Sequence, residues 1–148
     1  MSNSSPSARR PLPPALGDSL RRRFAERFAQ GESILAQHGR DESIHPAALP
    51  DGVVFVDGTQ EVAEVARLCG QHRVPMIAFG RGSSAEGQVL ATAGGITISL
   101  ARMNRILATR VEHLDATVEA GVTRLRLNAA LTVMTVEIPR MMKVMTVS

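Results

Sequence analysis

Val53-Val54-Phe55-Val56 is a short apolar run that predicts a buried strand. Asp57-Gly58 is a turn, and Thr59 can cap a helix running to about His72. Val62, Val65, Ala66 and Cys69 recur along one face of that helix, with Leu68 alongside. Pro75-Met76-Ile77-Ala78-Phe79 follows as a second strand, with Pro75 at its first position, where proline is tolerated. Strand, helix and strand in this order predict a βαβ unit with a parallel pair. Cys69 is then a small buried helix residue facing the sheet. The second strand runs straight into Gly80-Arg81-Gly82-Ser83-Ser84-Ala85-Glu86-Gly87.

Downstream, Ala93-Gly94-Gly95 makes a turn and Ile96-Thr97-Ile98-Ser99-Leu100 alternates like a strand. Ile106 to Thr109 and Ala116 to Glu119 read as further strands, the latter ended by Gly121. Thr123 can cap a last helix carrying Leu125, Leu127 and Leu131. A βαβ unit followed by closely spaced strands places the chain in the α/β (α+β) class. Upstream, Asp18 is a good N-cap for a helix with Leu20, Phe24 and Phe28, ended by Gly31. A short second helix around Ser33–Gln37 should end at Gly39.

Four regions follow. Residues 1–17 are rich in Ser, Pro and Arg and are expected to be a disordered arm, with a mitochondrial transit peptide as the other reading. Residues 18–50 are an N-terminal helical segment, and residues 51–131 hold the strands. Residues 132–148 carry four of the seven Met and the only lysine, Lys143. That tail is either a short capping strand or the product of a shifted reading frame.

Composition excludes several classes. The 148 residues are 44% hydrophobic and 21% charged, which argues against disorder throughout. One cysteine excludes an intrachain disulfide. No apolar run approaches the roughly 18 residues of a transmembrane helix. With no Trp, no Tyr and four Phe, a base-stacking nucleic-acid module is not expected. The net charge of +3 sits in the N-terminal thirty residues, which hold six Arg and two acids. Arg21, Arg22 and Arg27 lie mostly off the apolar stripe of their helix. They either face a membrane surface or acidic partner, or simply cover a helix docked on the body.

The loop from Gly80 to Gly87 carries the chemistry. Its glycines let backbone approach a ligand closely, and successive N–H groups there can form an anion nest. Ser83 and Ser84 add hydroxyl donors, and Arg81 adds charge. The set suits a pyrophosphate; a polar hairpin loop without a ligand is the alternative. A Walker A loop fails because Gln88 follows Gly87 where Lys is needed. A nucleophile elbow fails because Glu86 stands where the second glycine belongs. Gly80 to Ala85 satisfies the dinucleotide fingerprint literally, but Gly94-Gly95 interrupts the required helix and no ribose-binding acid follows at the usual distance. His38, His45, Cys69, His72 and His113 form no recognised metal pattern. Asp41, Glu42 and Asp115 could be acid/base groups, but nothing in the sequence pairs them.

Several of these residues together resemble a known family. His38-Gly39-Arg40-Asp41-Glu42-Ser43, His45-Pro46 and Leu49-Pro50-Asp51 resemble the start of FAD-linked oxidases of the D-lactate dehydrogenase (cytochrome) and glycolate oxidase type. Phe79-Gly80, Gly82, Ser84 and Glu86-Gly87 match that family's pyrophosphate loop. Met103-Asn104-Arg105-Ile106 and Gly121-Val122-Thr123 match farther on. The resemblance covers roughly residues 14–131. It implies the N-terminal part of an FAD-binding domain of the vanillyl-alcohol-oxidase (PCMH-type) superfamily, serving oxidation of a 2-hydroxy acid by hydride transfer to flavin.

By the same resemblance, Gly80, Arg81, Gly82, Ser83, Ser84 and Gly87 would cradle the pyrophosphate of FAD. Gly121 would approach the cofactor from the later strand. Cytochrome c or a quinone would take the electrons. The family has Tyr where Ile44 stands, Thr near Arg81 and Pro near Ala120. The family's second Gly-rich segment and its catalytic cap domain are not matched, so a truncated chain, inactive alone, with an incomplete FAD site is expected. No catalytic or metal residue is assigned. Arg-rich, nearly Lys-free usage points to the bacterial cytoplasm, with a peripheral place at the inner membrane or a mitochondrial location as alternatives.

Overall fold

The computed structural model describes residues 9–83, 85–113 and 115–132. Two compact units divide at Met103 and Asn104. Expectations for residues 1–8, for Ser84 and for most of the tail, 133–148, fall outside the described residues.

The first unit begins with α1 (Pro14–Phe24), which starts earlier than its sequence predicts. Pro14 stands at the first helical position, where its missing N–H costs nothing and its fixed φ suits a helix. The Pro13 carbonyl accepts the N–H groups of Leu16 and Gly17 at 3.0 and 3.1 Å. Residues 14–17 therefore belong to the helix and not to the arm, and Leu16 is fully buried. Asp18 is not a cap; it pairs with Arg21 one turn on, at 3.1 Å. Leu16, Leu20 and Phe24 recur every four residues and form the buried stripe. Phe28 leaves the helix after Ala25 (φ +47°) and a 3₁₀ turn, and enters a two-residue edge strand β1 (Phe28–Ala29).

Next come α2 (Glu32–His38), ending at Gly39, β2 (Gly52–Phe55), α3 (Thr59–His72) and β3 (Met76–Phe79). These lie within a residue or so of their sequence expectation. Thr59 is the first helical residue rather than the cap, which is Gly58 without a side-chain bond. Strand β4 (Ile96–Ser99) completes a sheet in the order β1-β2-β4-β3. The βαβ unit exists, but its strands are not adjacent: β4 lies between them and pairs parallel with both. Val54, Ile98 and Ala78 share one register row, and β1 adds antiparallel to β2.

Ile96 and Ile98 point into a core with Val54, Val65, Cys69, Leu16, Leu20 and Phe24. Each such aliphatic side chain contributes about 1.5–3 kcal/mol by leaving water. Cys69 is buried as expected, and burial pushes its thiol up to about 11. Ion pairs tie the first helical segment to α3. Arg23 bonds Glu64 at 2.8 Å, and Arg27 bonds Glu61 at 2.6 Å and Asp57 at 2.8 Å. The hydrogen bond from Arg27 holds the Glu61 carboxyl down to about 2.

The second unit holds an antiparallel ribbon of β5 (Ile106–Arg110) and β6 (Asp115–Val118). Arg105 donates to Glu119 at 2.7 Å and keeps that carboxyl below its usual range. A helix α4 over 124–132 follows, and the Thr123 hydroxyl accepts the Arg126 N–H at 3.2 Å as a cap.

Candidate functional site

The three parallel strands β2, β4 and β3 present their C-terminal ends on the same side, where ligands of open α/β sheets bind. The Gly80–Gly87 loop leaves β3 at that end. Gly82 (φ +69°) and Gly87 (φ +78°) take the left-handed backbone that glycine tolerates. A Cβ on Gly82 would sit 2.6 Å from Cζ of Phe79, so that ring leaves no room for a side chain at this position. Gly80 has open space on its Cβ side. Arg81 and Ser83 are exposed.

Beneath the loop lies the segment that follows α2. His38 is buried, with its ring 4.6 Å from Phe79 and 5.6 Å from Phe55. Its Nδ1 lies 2.9 Å from the Ile34 carbonyl and donates to it. The irregular chain beyond is held by backbone bonds, Ala48 N–H to Gly39 at 2.8 Å and Ala91 N–H to Ala48 at 3.2 Å.

Asp41 connects this segment to the loop. Its Oδ1 accepts the Ser43 N–H at 3.0 Å, an Asx turn, and its Oδ2 accepts the Gly87 N–H at 3.1 Å. The Ser43 bonds, the Gly87 N–H and nearby His45 keep the carboxyl below its ordinary range. The Ser43 hydroxyl accepts the His45 N–H at 3.2 Å. His45 lies against Gly87, where an added Cβ would come within 2.8 Å of its ring. Cavities open on both sides of the loop. One of about 250 Å³ is bordered by Arg40, Asp41, Glu42, Phe79, Arg81 and Gly82. The other, about 340 Å³, is bordered by His45, Ala48, Glu86, Gly87 and Leu90.

Of the residues singled out in the sequence, Gly80, Arg81, Gly82, Ser83 and Gly87 come together in this loop. Ser84 lies outside the described residues. Gly121 is buried in the second unit, in the turn where Val122 N–H bonds the Glu119 carbonyl at 3.1 Å. Sequence reasoning missed Asp41 as the partner of Gly87 and Phe79 as the ring that Gly82 abuts. The Asp-x-Ser spacing of Asp41 and Ser43 signals an Asx turn, but nothing local points to a glycine 46 residues away. Among the described residues no group of three or more His, Cys, Asp or Glu could hold a metal ion.

The donors of this loop fit a phosphate. Among the described residues nothing accepts the N–H groups of Arg81, Gly82 and Ser83, and no side chain stands over Gly80. Arg40 and Arg81 are among the residues that line the adjoining cavity, together with Asp41 and Glu42.

Known proteins resemble the chain in the same terms. The FAD binding domain family matches residues 50–141, running past the boundary at 131 drawn from the sequence. A probable mitochondrial D-lactate dehydrogenase of Danio rerio is 43% identical over 72% of this chain and 21% of its own length. The mitochondrial D-lactate dehydrogenase [cytochrome] of Arabidopsis thaliana is 35% identical over 76% of this chain and 19% of its own. Glycolate oxidase subunit GlcD of Bacillus subtilis is 32% identical over 68% and 21%. The chain thus spans about a fifth of the length of these relatives.

Among solved structures, alkyldihydroxyacetonephosphate synthase superposes with a TM-score of 0.72 at 19% identity, over 89% of this chain and 27% of that one. p-Cresol methylhydroxylase superposes with 0.67 at 16% identity, over 86% and 27%. No helix among the described residues is long and apolar enough to cross a membrane. With its loop, its sheet and its matched residues in agreement, the chain belongs to the FAD binding domain family, is homologous to D-lactate dehydrogenase and glycolate oxidase, and has the PCMH-type fold.

Proposed function

We propose that this chain forms the phosphate-loop part of the FAD site in an oxidoreductase acting on a 2-hydroxy acid. The carrying observation is the Gly80–Ser83 stretch, where nothing among the described residues accepts the N–H groups of Arg81, Gly82 and Ser83, Gly82 abuts the Phe79 ring and Arg81 is exposed. The substrate class rests on relatives named for D-lactate and glycolate, both acids with a hydroxyl on the carbon next to the carboxyl. Because the chain spans about a fifth of those relatives, hydroxy-acid oxidation is proposed for the whole protein and not for this segment alone.

Bound FAD supplies the redox chemistry. The chain's own residues bind and orient it. Gly80 and Gly82 let backbone donors reach the pyrophosphate, Arg81 offsets its charge, and Ser83 and Ser84 offer hydroxyl donors. Gly87 ends the cradle, and Gly121 is carried over from the family resemblance as a further cofactor-binding residue. No residue here is assigned to proton transfer. Cytochrome c or a quinone is the proposed electron acceptor, a reading supported by the cytochrome-linked name of the Arabidopsis relative. The proposed location is the bacterial cytoplasm, supported by the Arg-rich usage; relatives include both mitochondrial and bacterial proteins.

The competing reading, a basic helix that recruits an acidic partner, is disfavoured by the ion pairs of that region. Arg21, Arg23 and Arg27 already bond Asp18, Glu64, Glu61 and Asp57. Titration of FAD followed by flavin fluorescence tests the proposal. Gly82→Val should weaken affinity at least about tenfold, since a branched side chain is strained at φ +69° and collides with the Phe79 ring. Equal affinity in both proteins contradicts it.

A further inference from the structure

The two ends of the Gly80–Gly87 loop differ in what holds them. At the far end the Gly87 N–H is already donated to Asp41, at 3.1 Å. The other Asp41 oxygen accepts the Ser43 N–H at 3.0 Å, so the carboxylate is held in place by two backbone donors. The His45 ring packs under Gly87, and Glu86 lines the cavity on that side. An anion arriving there would meet the Glu86 carboxylate and a Gly87 donor already in use. At the near end, nothing among the described residues accepts the N–H groups of Arg81, Gly82 and Ser83. The cavity beside Gly82 is lined by two cationic residues, Arg40 and Arg81, along with Glu42 and the doubly bonded Asp41.

We propose that Asp41 is a positioning residue of the phosphate loop. Its carboxylate takes up the Gly87 N–H and closes that end to anions. The Gly80–Ser83 end, flanked by Arg40 and Arg81, is left as the seat of the cofactor's pyrophosphate. This rests on the FAD reading above and narrows it, because Gly87 then shapes the loop without touching phosphate. Arg40, which lies outside the loop, becomes a second cation of the site.

Amide NMR on the whole chain tests this. In the wild type, the Gly87 amide proton should titrate together with the Asp41 carboxyl, with a midpoint below that of an ordinary aspartate. The groups facing that carboxyl are Ser43, His45 and Gly87, with Arg40, Glu42 and Arg81 bordering the same cavity. In Asp41→Ala, Gly87 amide exchange should rise about tenfold or more, as expected for loss of a charge-assisted bond. Should that variant not fold, the wild-type titration decides.

Inorganic pyrophosphate should shift the amides of Arg81, Gly82 and Ser83 and leave Gly87 in place. Arg40→Gln should weaken its binding several-fold, and Arg40→Lys should restore most of it. A Gly87 amide indifferent to Asp41, or pyrophosphate shifts that centre on Gly87 or are absent from the loop, overturns the proposal. If pyrophosphate behaves as expected and FAD does not bind, the cofactor reading fails and the assignment of the two ends stands. If FAD binds while Gly87 ignores Asp41, the reverse holds.

Discussion

At the N-terminal end of β4, Gly94 and Gly95 turn the chain with φ of +72° and +98°; beyond the C-terminal end of β3, Gly82 and Gly87 do so with +69° and +78°. Each turn is clasped by an aspartate from earlier in the chain. Asp51 accepts the Gly95 N–H at 2.6 Å, and Asp41 accepts the Gly87 N–H at 3.1 Å. The surroundings separate them. Arg9 pairs with Asp51 at 2.7 Å, and a Cβ on Gly94 would meet Asp51 and Arg9. One on Gly95 would run into the Pro75 backbone. Gly80, by contrast, faces open space, and a Cβ on Gly82 would meet the Phe79 side chain rather than backbone first. Positive φ and an aspartate clasp therefore mark a tight turn. At the second turn nothing among the described residues accepts the N–H groups of Arg81, Gly82 and Ser83, and that difference underlies the proposal that it takes the ligand.

The largest expected effect is Gly95→Val. Its φ of +98° strains any side chain, and the Pro75 backbone cannot swing aside. A loss of at least about 3 kcal/mol is expected in urea unfolding. An undiminished midpoint would break the assignment of this turn to structure.

Glu61→Gln, remote from both turns, comes next. Removing the partner of Arg27 should cost about 1–3 kcal/mol and leave FAD affinity unchanged. The pH profile follows from the same group. The Glu61 carboxyl is held at about 2 against an ordinary 4.5. Its stabilisation is therefore complete above about pH 4.5 and is lost as pH falls toward 2. Urea midpoints across that window should converge for wild type and Glu61→Gln at the acid end.

Gly82→Ala should show the opposite balance. Strain at φ +69° costs about 1–2 kcal/mol, while FAD affinity falls at least about tenfold. Gly80→Ala has the smallest expected effect on stability, within about 0.5 kcal/mol, because open space receives the methyl group. Its FAD affinity should still fall measurably. Equal stability losses at Gly80 and Gly95 would dissolve the contrast between the two turns.

Much of this was legible because local signals and tertiary packing agree. The apolar run at Val53, the stripe through Val65 and Cys69, and the strand ending at Phe79 each have one stable placement. Asp18 misled because a good capping residue was outweighed by Pro14 and the burial of Leu16. Phe28 kept helical spacing with Phe24 yet sits in a strand, since pairing with Val54 satisfies its backbone. The insertion of β4 between β2 and β3 is a non-local pairing that no window of sequence reports. The loop was legible in composition, but its asymmetry was not, because Asp41 and Gly87 are 46 residues apart.

Amide chemical-shift mapping of the whole chain with FAD tests the central claim most directly. The expected result is that Gly80, Arg81, Gly82 and Ser83 carry the largest shifts while Gly94 and Gly95 stay fixed. Shifts centred on Gly94 and Gly95, or none between residues 80 and 83, would contradict it.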